Sequence, residues 1–134
     1  MNLDPEQREH LIQEAINVRH WAYTPYSHYQ VGAALLASSG KFYSGVNVEN
    51  AAYPSSICAE RTAIFKAISE GEREVIAIAV VTENGGTPCG ACRQVLSEFG
   101  KGAEVIIVDG SGNVLSETTV DRLLPDAFGP EKLK

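Results

Sequence analysis

Near the start of the chain apolar residues recur at helical spacing. Leu11, Ala15, Val18 and Ala22 form one stripe, flanked by Ile12 and Ile16, with charged and amide side chains between them. Asp4 stands where an N-cap is needed, Pro5 suits the first helical position, and Gln7 completes an Asp-x-x-Gln capping box. The pattern predicts a helix from Pro5 that ends near Tyr23, before Thr24-Pro25.

Beyond it the period becomes that of strands. Gln30 to Ala37 and Phe42 to Val48 read as two strands joined by the turn Ser38-Ser39-Gly40-Lys41, a hairpin by turn chemistry. A second helix runs from about Cys58 to Ser69 and is ended by Gly71. Val75 to Val81 is almost wholly apolar and β-branched, which predicts a central strand buried on both faces. The loop Asn84-Gly85-Gly86 leads to a helix from about Cys89 to Gly100. Glu104 to Val108 is another buried strand, Asp109 to Gly112 a turn, and Val114 to Ser116 a short last strand. Thr119 caps a brief helix through Leu124. The order α-β-β-α-β-α-β-β-α has no repeats and no linker. It argues for an α/β fold, a three-layer α/β/α sandwich around a mixed five-stranded sheet, in a single domain over residues 1–134. Strands joined through helices are expected to run parallel.

Composition narrows the function. The 134 residues are 44 % hydrophobic and 21 % charged, an ordinary globular balance. No apolar stretch approaches the roughly 20 residues of a membrane span. The N-terminus, Met1-Asn2-Leu3-Asp4-Pro5-Glu6, lacks the basic-then-apolar order of a signal peptide, so a cytoplasmic protein without a membrane partner is expected. Net charge is −6, and the basic residues are scattered singly. Phosphate contacts supply most of the affinity for polynucleotides, so no nucleic-acid polymer is expected as ligand.

The chemistry lies in three cysteines, in Cys58-Ala59-Glu60 and Pro88-Cys89-Gly90-Ala91-Cys92. An odd number in a cytoplasmic chain fits a metal site better than a disulfide framework. Both clusters fall at predicted helix starts, where unpaired N–H groups and partial positive charge favour thiolate. Cys89 and Cys92 share a helix face and can chelate together. Three thiolates fill three corners of a tetrahedral zinc and leave one for water, whereas a closed structural site takes a fourth protein ligand. Glu60, in a first helical turn, can reach over the metal because side chains tilt toward the helix N-terminus. It is placed to move the water's protons. Three thiolates also weaken Zn²⁺ as a Lewis acid, and Arg61, hydrogen-bonded to a sulfur, would drain electron density and restore acidity. The residues point to a zinc hydrolase.

Other readings of the same cysteines are a redox pair and a structural zinc. A thioredoxin-like C-x-x-C needs neither Cys58 nor Glu60. A structural zinc would take its fourth ligand from His10, His20 or His28, all N-terminal, and His28 sits in a polar loop-like segment. Unlinked buried cysteines are the remaining possibility.

The two motifs match the general signature of zinc deaminases, in its three-cysteine variant. Further stretches extend the match: Tyr26 through Leu35, Asn47-Val48-Glu49-Asn50-Ala51-Ala52-Tyr53, Cys58 through Gly71, Pro88 through Gln94, and Leu123 through Phe128. Together they resemble the small cytidine deaminases that act on free nucleosides. The resemblance implies hydrolytic deamination of cytidine and deoxycytidine in pyrimidine salvage, with one Zn²⁺ per subunit held by Cys58, Cys89 and Cys92. Glu60 would be the catalytic proton carrier, and Arg61 would stand behind the ligands. It implies a ribose clamp at Asn47 and Glu49, contacts from Tyr29 and Tyr53, and the Ala59 N–H for the pyrimidine O2. Tyr29 stands where that family most often has Phe. Phe128 resembles the aromatic that lies over the base of a neighbouring subunit in a homotetramer. Deaminases of modified cytosine nucleosides share both cysteine motifs and are the alternative. Polynucleotide editors usually carry His-x-Glu and a basic surface, which this chain lacks.

Overall fold

The predicted capping box opens helix α1 (Pro5–Val18): the Gln7 N–H donates to the Asp4 carboxylate at 2.8 Å, and the Asp4 N–H donates to Gln7 Oε1 at 3.3 Å. The computed structural model describes residues 3–133. Met1 and Asn2, part of the stretch read for a leader, and Lys134, the end of the predicted domain, lie outside the described residues. The first helix stops earlier than its apolar stripe predicts and passes into a 3₁₀ turn over Arg19–Trp21. Tyr23 is already extended there, its N–H donating to the Asn47 carbonyl at 3.1 Å.

Strands β1 (Gly32–Ala37) and β2 (Phe42–Val46) form the predicted antiparallel hairpin. Both are shorter than the sequence implied. Gln30 and Val31 are held largely by side chains: Arg19 Nε donates to the Gln30 carbonyl at 2.9 Å and the Val31 N–H donates to Asn47 Oδ1 at 2.9 Å, with one backbone bond from the Asn47 N–H to the Val31 carbonyl at 3.3 Å. Past Val46 the chain leaves the sheet, and Val48 pairs locally with Tyr23 and Ile57. Helix α2 (Ala59–Ser69), strand β3 (Val75–Val81), helix α3 (Gly90–Phe99) and strand β4 (Glu104–Val108) follow near their predicted bounds. Strand β5 (Val114–Thr119) runs on through Glu117, Thr118 and Thr119, whose polarity hid it because this is an edge strand with most residues exposed. Thr119 caps α4 (Val120–Leu123) by accepting from the Arg122 N–H.

The sheet order is β2-β1-β3-β4-β5, with β3 and β4 parallel and the other neighbours antiparallel. Side-chain alternation divides the central strands between two cores. Ala34 and Leu36, Ala77 and Ala79, Ile106 and Val108 meet Leu11, Ile12 and Ala15 of α1. Leu35, Ile78, Val80, Val105 and Ile107 meet Ala63, Ile64, Ala67 and Leu96 on α2 and α3. The result is the three-layer sandwich expected from the order of elements. Among the described residues no helix is long and apolar enough to cross a membrane.

Helix α2 lies unusually close to β2 because of Gly45. A Cβ there would sit 2.5 Å from the Ala63 amide nitrogen and 2.9 Å from the Ala59 carbonyl oxygen. Neither backbone atom can move alone. Gly45→Ala is expected to lower the unfolding free energy by about 1–3 kcal/mol, seen as a lower urea midpoint at unchanged m-value.

Candidate metal centre

Two helix tips converge on the three sulfurs. Cys58 is the N-cap of α2 (φ −79°, ψ 154°) and Cys89 the N-cap of α3 (φ −68°, ψ 170°); neither thiol caps its own helix. Extended backbone at both positions turns the side chains away from their helices and toward one another. Cys92, in the first turn of α3, is buried beneath them. Its sulfur lies 3.5 Å from that of Cys89, and the Cys58 and Cys89 sulfurs are 3.8 Å apart. All three fall within 4.8 Å of one another. A tetrahedral zinc with bonds of about 2.3 Å sets sulfurs about 3.8 Å apart, so the spacing fits that ion.

The donor set fits as well. Three sulfurs so close cannot all ionise unaided. The Cys58 thiol is held down to about 5 by hydrogen bonding with Cys92 and Arg61, against the opposing effect of burial. Cys92 is pushed the other way, first by its hydrogen bond to Cys58 and then by burial. A divalent cation among them would let all three carry charge. Arg61 Nη2 donates to Cys58 Sγ at 3.4 Å, placing the guanidinium where the sequence reading put it. No histidine joins the cluster among the described residues. His28 lies in an exposed loop with φ 60°.

Glu60 is 4 % exposed, next to the sulfurs. Its carboxyl is raised to about 7, first by burial and further by the Cys58 charge, with a backbone hydrogen bond and Arg61 pulling the other way. Such a group can both take and give a proton near neutrality. Ala59 is the first residue of α2, where backbone N–H groups lack helical partners.

A cleft of about 750 Å³ opens over this centre. It brings together Cys58, Cys89, Ala59, Glu60 and Arg61 with Asn47, Glu49, Tyr29 and Tyr53, all singled out in the sequence. Asn47 and Glu49 lie beyond the end of β2, yet the local pairing of Val48 between them keeps the backbone extended. Glu49 accepts from the N–H groups of Tyr26 and Ser27, each at 3.1 Å, and from the Ser27 hydroxyl. These bonds, the Ser27 hydroxyl first among them, lower its pKa and keep it a carboxylate. Phe128 does not line the cleft of its own chain, and the residue is 57 % exposed.

Three supporting residues escaped the sequence reading. Ser27 holds Glu49, and its hydroxyl also accepts the Tyr29 N–H in a local turn, a signal legible as Ser-x-Tyr in a loop. Arg93 donates to the Pro88 carbonyl at 2.7 Å, to Thr87 Oγ1 at 3.1 Å and to the Leu123 carbonyl at 3.0 Å, bracing the approach to Cys89. Gln94 donates to the Phe128 carbonyl at 2.9 Å. Nothing local in the sequence reveals the last two partnerships, which span long stretches of chain.

Residues 5–108 match the sequence family described as the cytidine and deoxycytidylate deaminase zinc-binding region. A cytidine deaminase of Sporosarcina psychrophila is 50 % identical over 127 residues, covering 93 % of each chain. One from Halalkalibacterium halodurans is 50 % identical over 128 residues, 94 % of this chain and 97 % of its own. The crystal structure of cytidine deaminase from Burkholderia pseudomallei superposes with a TM-score of 0.85 at 49 % identity, covering 90 % of this chain and 98 % of that one. Removal of any one sulfur should break the cradle. Cys58→Ala, Cys89→Ala and Cys92→Ala are each expected to lose most of the zinc that the parent retains through desalting, read by atomic absorption.

Proposed function

Because the chain belongs to the cytidine and deoxycytidylate deaminase family, we propose that it is the enzyme that hydrolyses cytidine and 2′-deoxycytidine to uridine and 2′-deoxyuridine, releasing ammonia. The observation that carries this reading is the buried Glu60 carboxyl beside three convergent cysteine sulfurs at the floor of an open cleft.

Cys58, Cys89 and Cys92 would hold one zinc ion per subunit, which when bound would supply Lewis-acid activation of water. Glu60 takes a proton from the attacking water and delivers it to ring N3, which makes C4 electrophilic. The water oxygen adds to C4 to give a tetrahedral centre. The same carboxyl then takes the remaining proton from that hydroxyl and delivers it to the amine, so that the C4–N bond breaks as the C4 carbonyl forms and ammonia leaves. A pKa near 7 suits both transfers. The Ala59 N–H orients the pyrimidine through O2. Arg61 draws electron density from the Cys58 sulfur. Asn47 and the ionised Glu49 receive the sugar hydroxyls, with Tyr29 and Tyr53 as flat walls.

The cleft also favours a nucleoside over a nucleotide. Arg61 is the only basic residue among the described residues that line it, and its guanidinium is engaged with sulfur. A 5′-phosphate would meet Glu49 without a compensating cation. We further assign a cytoplasmic role in pyrimidine salvage and a homotetrameric assembly, in which Phe128 completes a neighbour's cleft. The exposure of Phe128, 57 % as a residue and outside its own chain's cleft, leaves it free for that contact.

Two measurements test the reading. Zinc-loaded protein should turn over cytidine and deoxycytidine in an ultraviolet absorbance assay, while cytidine 5′-monophosphate and adenosine react at least tenfold more slowly (about 1.4 kcal/mol in the barrier). Glu60→Gln should retain zinc and bind cytidine, with kcat lowered about 10²–10⁴-fold; undiminished turnover would remove Glu60 from the mechanism.

A further inference from the structure

Tyr29 is held at three points. Its N–H donates to Ser27 Oγ at 3.0 Å, its carbonyl accepts from Asn47 Nδ2 at 2.8 Å, and its hydroxyl donates to Asn84 Oδ1 at 2.7 Å. The first two bonds join it to the residues assigned to the sugar, Asn47 directly and Glu49 through Ser27. The third reaches the loop between β3 and α3, which runs into Cys89.

That loop is internally braced at the same atom. Thr82 Oγ1 donates to Asn84 Oδ1 at 3.4 Å and accepts from the Gly86 N–H at 2.7 Å. The donors and acceptors agree in sense. One amide oxygen accepts two hydroxyl protons, and the threonine oxygen accepts one amide proton. Thr82 is 3 % exposed, so a broken link here leaves a buried hydroxyl with fewer partners. Gly86 bears independently on the hydroxyl: a Cβ at that position would come to 2.9 Å from the Tyr29 oxygen. The absence of a side chain there leaves room for a tyrosine where a phenylalanine would not need it.

We infer that the Tyr29 hydroxyl is a positioning group, which ties the sugar end of the cleft to the segment carrying Cys89 and thereby sets nucleoside affinity. The inference rests on the nucleoside deaminase reading. The hydroxyl is engaged with Asn84, so Tyr29 offers the substrate its ring rather than its oxygen. Without the tie the Tyr26–Val31 loop keeps its bonds to Asn47 and Glu49 but loses its register against the metal end. A nucleoside needs both ends at a fixed separation. The loss therefore falls on binding more than on the proton transfers at Glu60.

The test compares Tyr29→Phe, Asn84→Ala, their double variant and Asn84→Asp with the parent, all zinc-loaded. Tyr29→Phe and Asn84→Ala should each raise KM for cytidine roughly three- to tenfold, as expected for one hydrogen bond, with a smaller change in kcat and unchanged zinc content. The double variant should be no worse than either single one. Asn84→Asp keeps the accepting oxygen and should restore KM to within about twofold of the parent's. An unchanged KM in Tyr29→Phe, additive losses in the double variant, or loss of zinc in Tyr29→Phe would each overturn the inference. Turnover of cytidine by the parent, read in the same assay, distinguishes this failure from failure of the deaminase reading: an inactive parent sinks that reading itself.

Discussion

Two helices must begin at one place in space, with sulfur at both beginnings. A helix N-terminus favours an adjacent anion by about 0.3–1 kcal/mol, so two tips facing one cluster assist ionisation from both sides. The rest of the fold arranges that meeting. Strand β3 feeds α3 through a short loop, and the extended segment after β2 feeds α2. Both helices lie on one face of the sheet, where Ala59, Ala63 and Ala67 of α2 join the same core as Leu96 of α3. Small side chains, and Gly45 beneath them, hold α2 close to the strands. A bulkier inner face would lift Cys58 away from Cys89 even with every ligand still present.

Helix α3 has a second duty. Its first turn supplies Cys92, and the next residues, Arg93 and Gln94, face other parts of the chain. Arg93 ties the carbonyls of Pro88 and Leu123, and Gln94 ties that of Phe128. The segment after α4 is thus fixed relative to the metal ligands through one helical turn. This explains in physical terms why the run Pro88 to Gln94 reads as one motif. Its cysteines join the sulfur cluster, while its arginine and glutamine set where the end of the chain can lie.

Local signals carried far in this sequence. Asp4 with Gln7, Thr119, and the apolar runs Val75–Val81 and Glu104–Val108 each decide their own element, and the structure places them where they were read. Cysteines at predicted helix starts proved to be the N-caps. What failed depended on distant partners. The end of β2 moved because Val48 pairs with Tyr23 and Ile57 rather than with β1. Strand β5 outran its apolar residues because an exposed edge imposes no hydrophobic demand. Asn84 looked like a turn residue and nothing more. Its bond to Tyr29 joins residues 55 apart, and no spacing rule reaches that far.

The two carboxylates of the cleft show how environment divides labour within one residue type. Glu49 accepts two backbone N–H groups and a hydroxyl, which stabilise its charged form and lower its pKa. It stays an acceptor throughout, as the proposed role of holding sugar hydroxyls requires. Glu60 is buried beside sulfur with few donors, which destabilises its charge and raises its pKa to about 7. It can change state, as the proposed role of proton carrier requires. Exchanging the environments would abolish both roles without altering either side chain: a solvated Glu60 would give up its proton too readily to the water, and a buried Glu49 would compete with the sugar as a donor. Sequence alone names two glutamates near three cysteines. The proposed division, one holding and one transferring, rests on burial and hydrogen bonding, and these come from the fold.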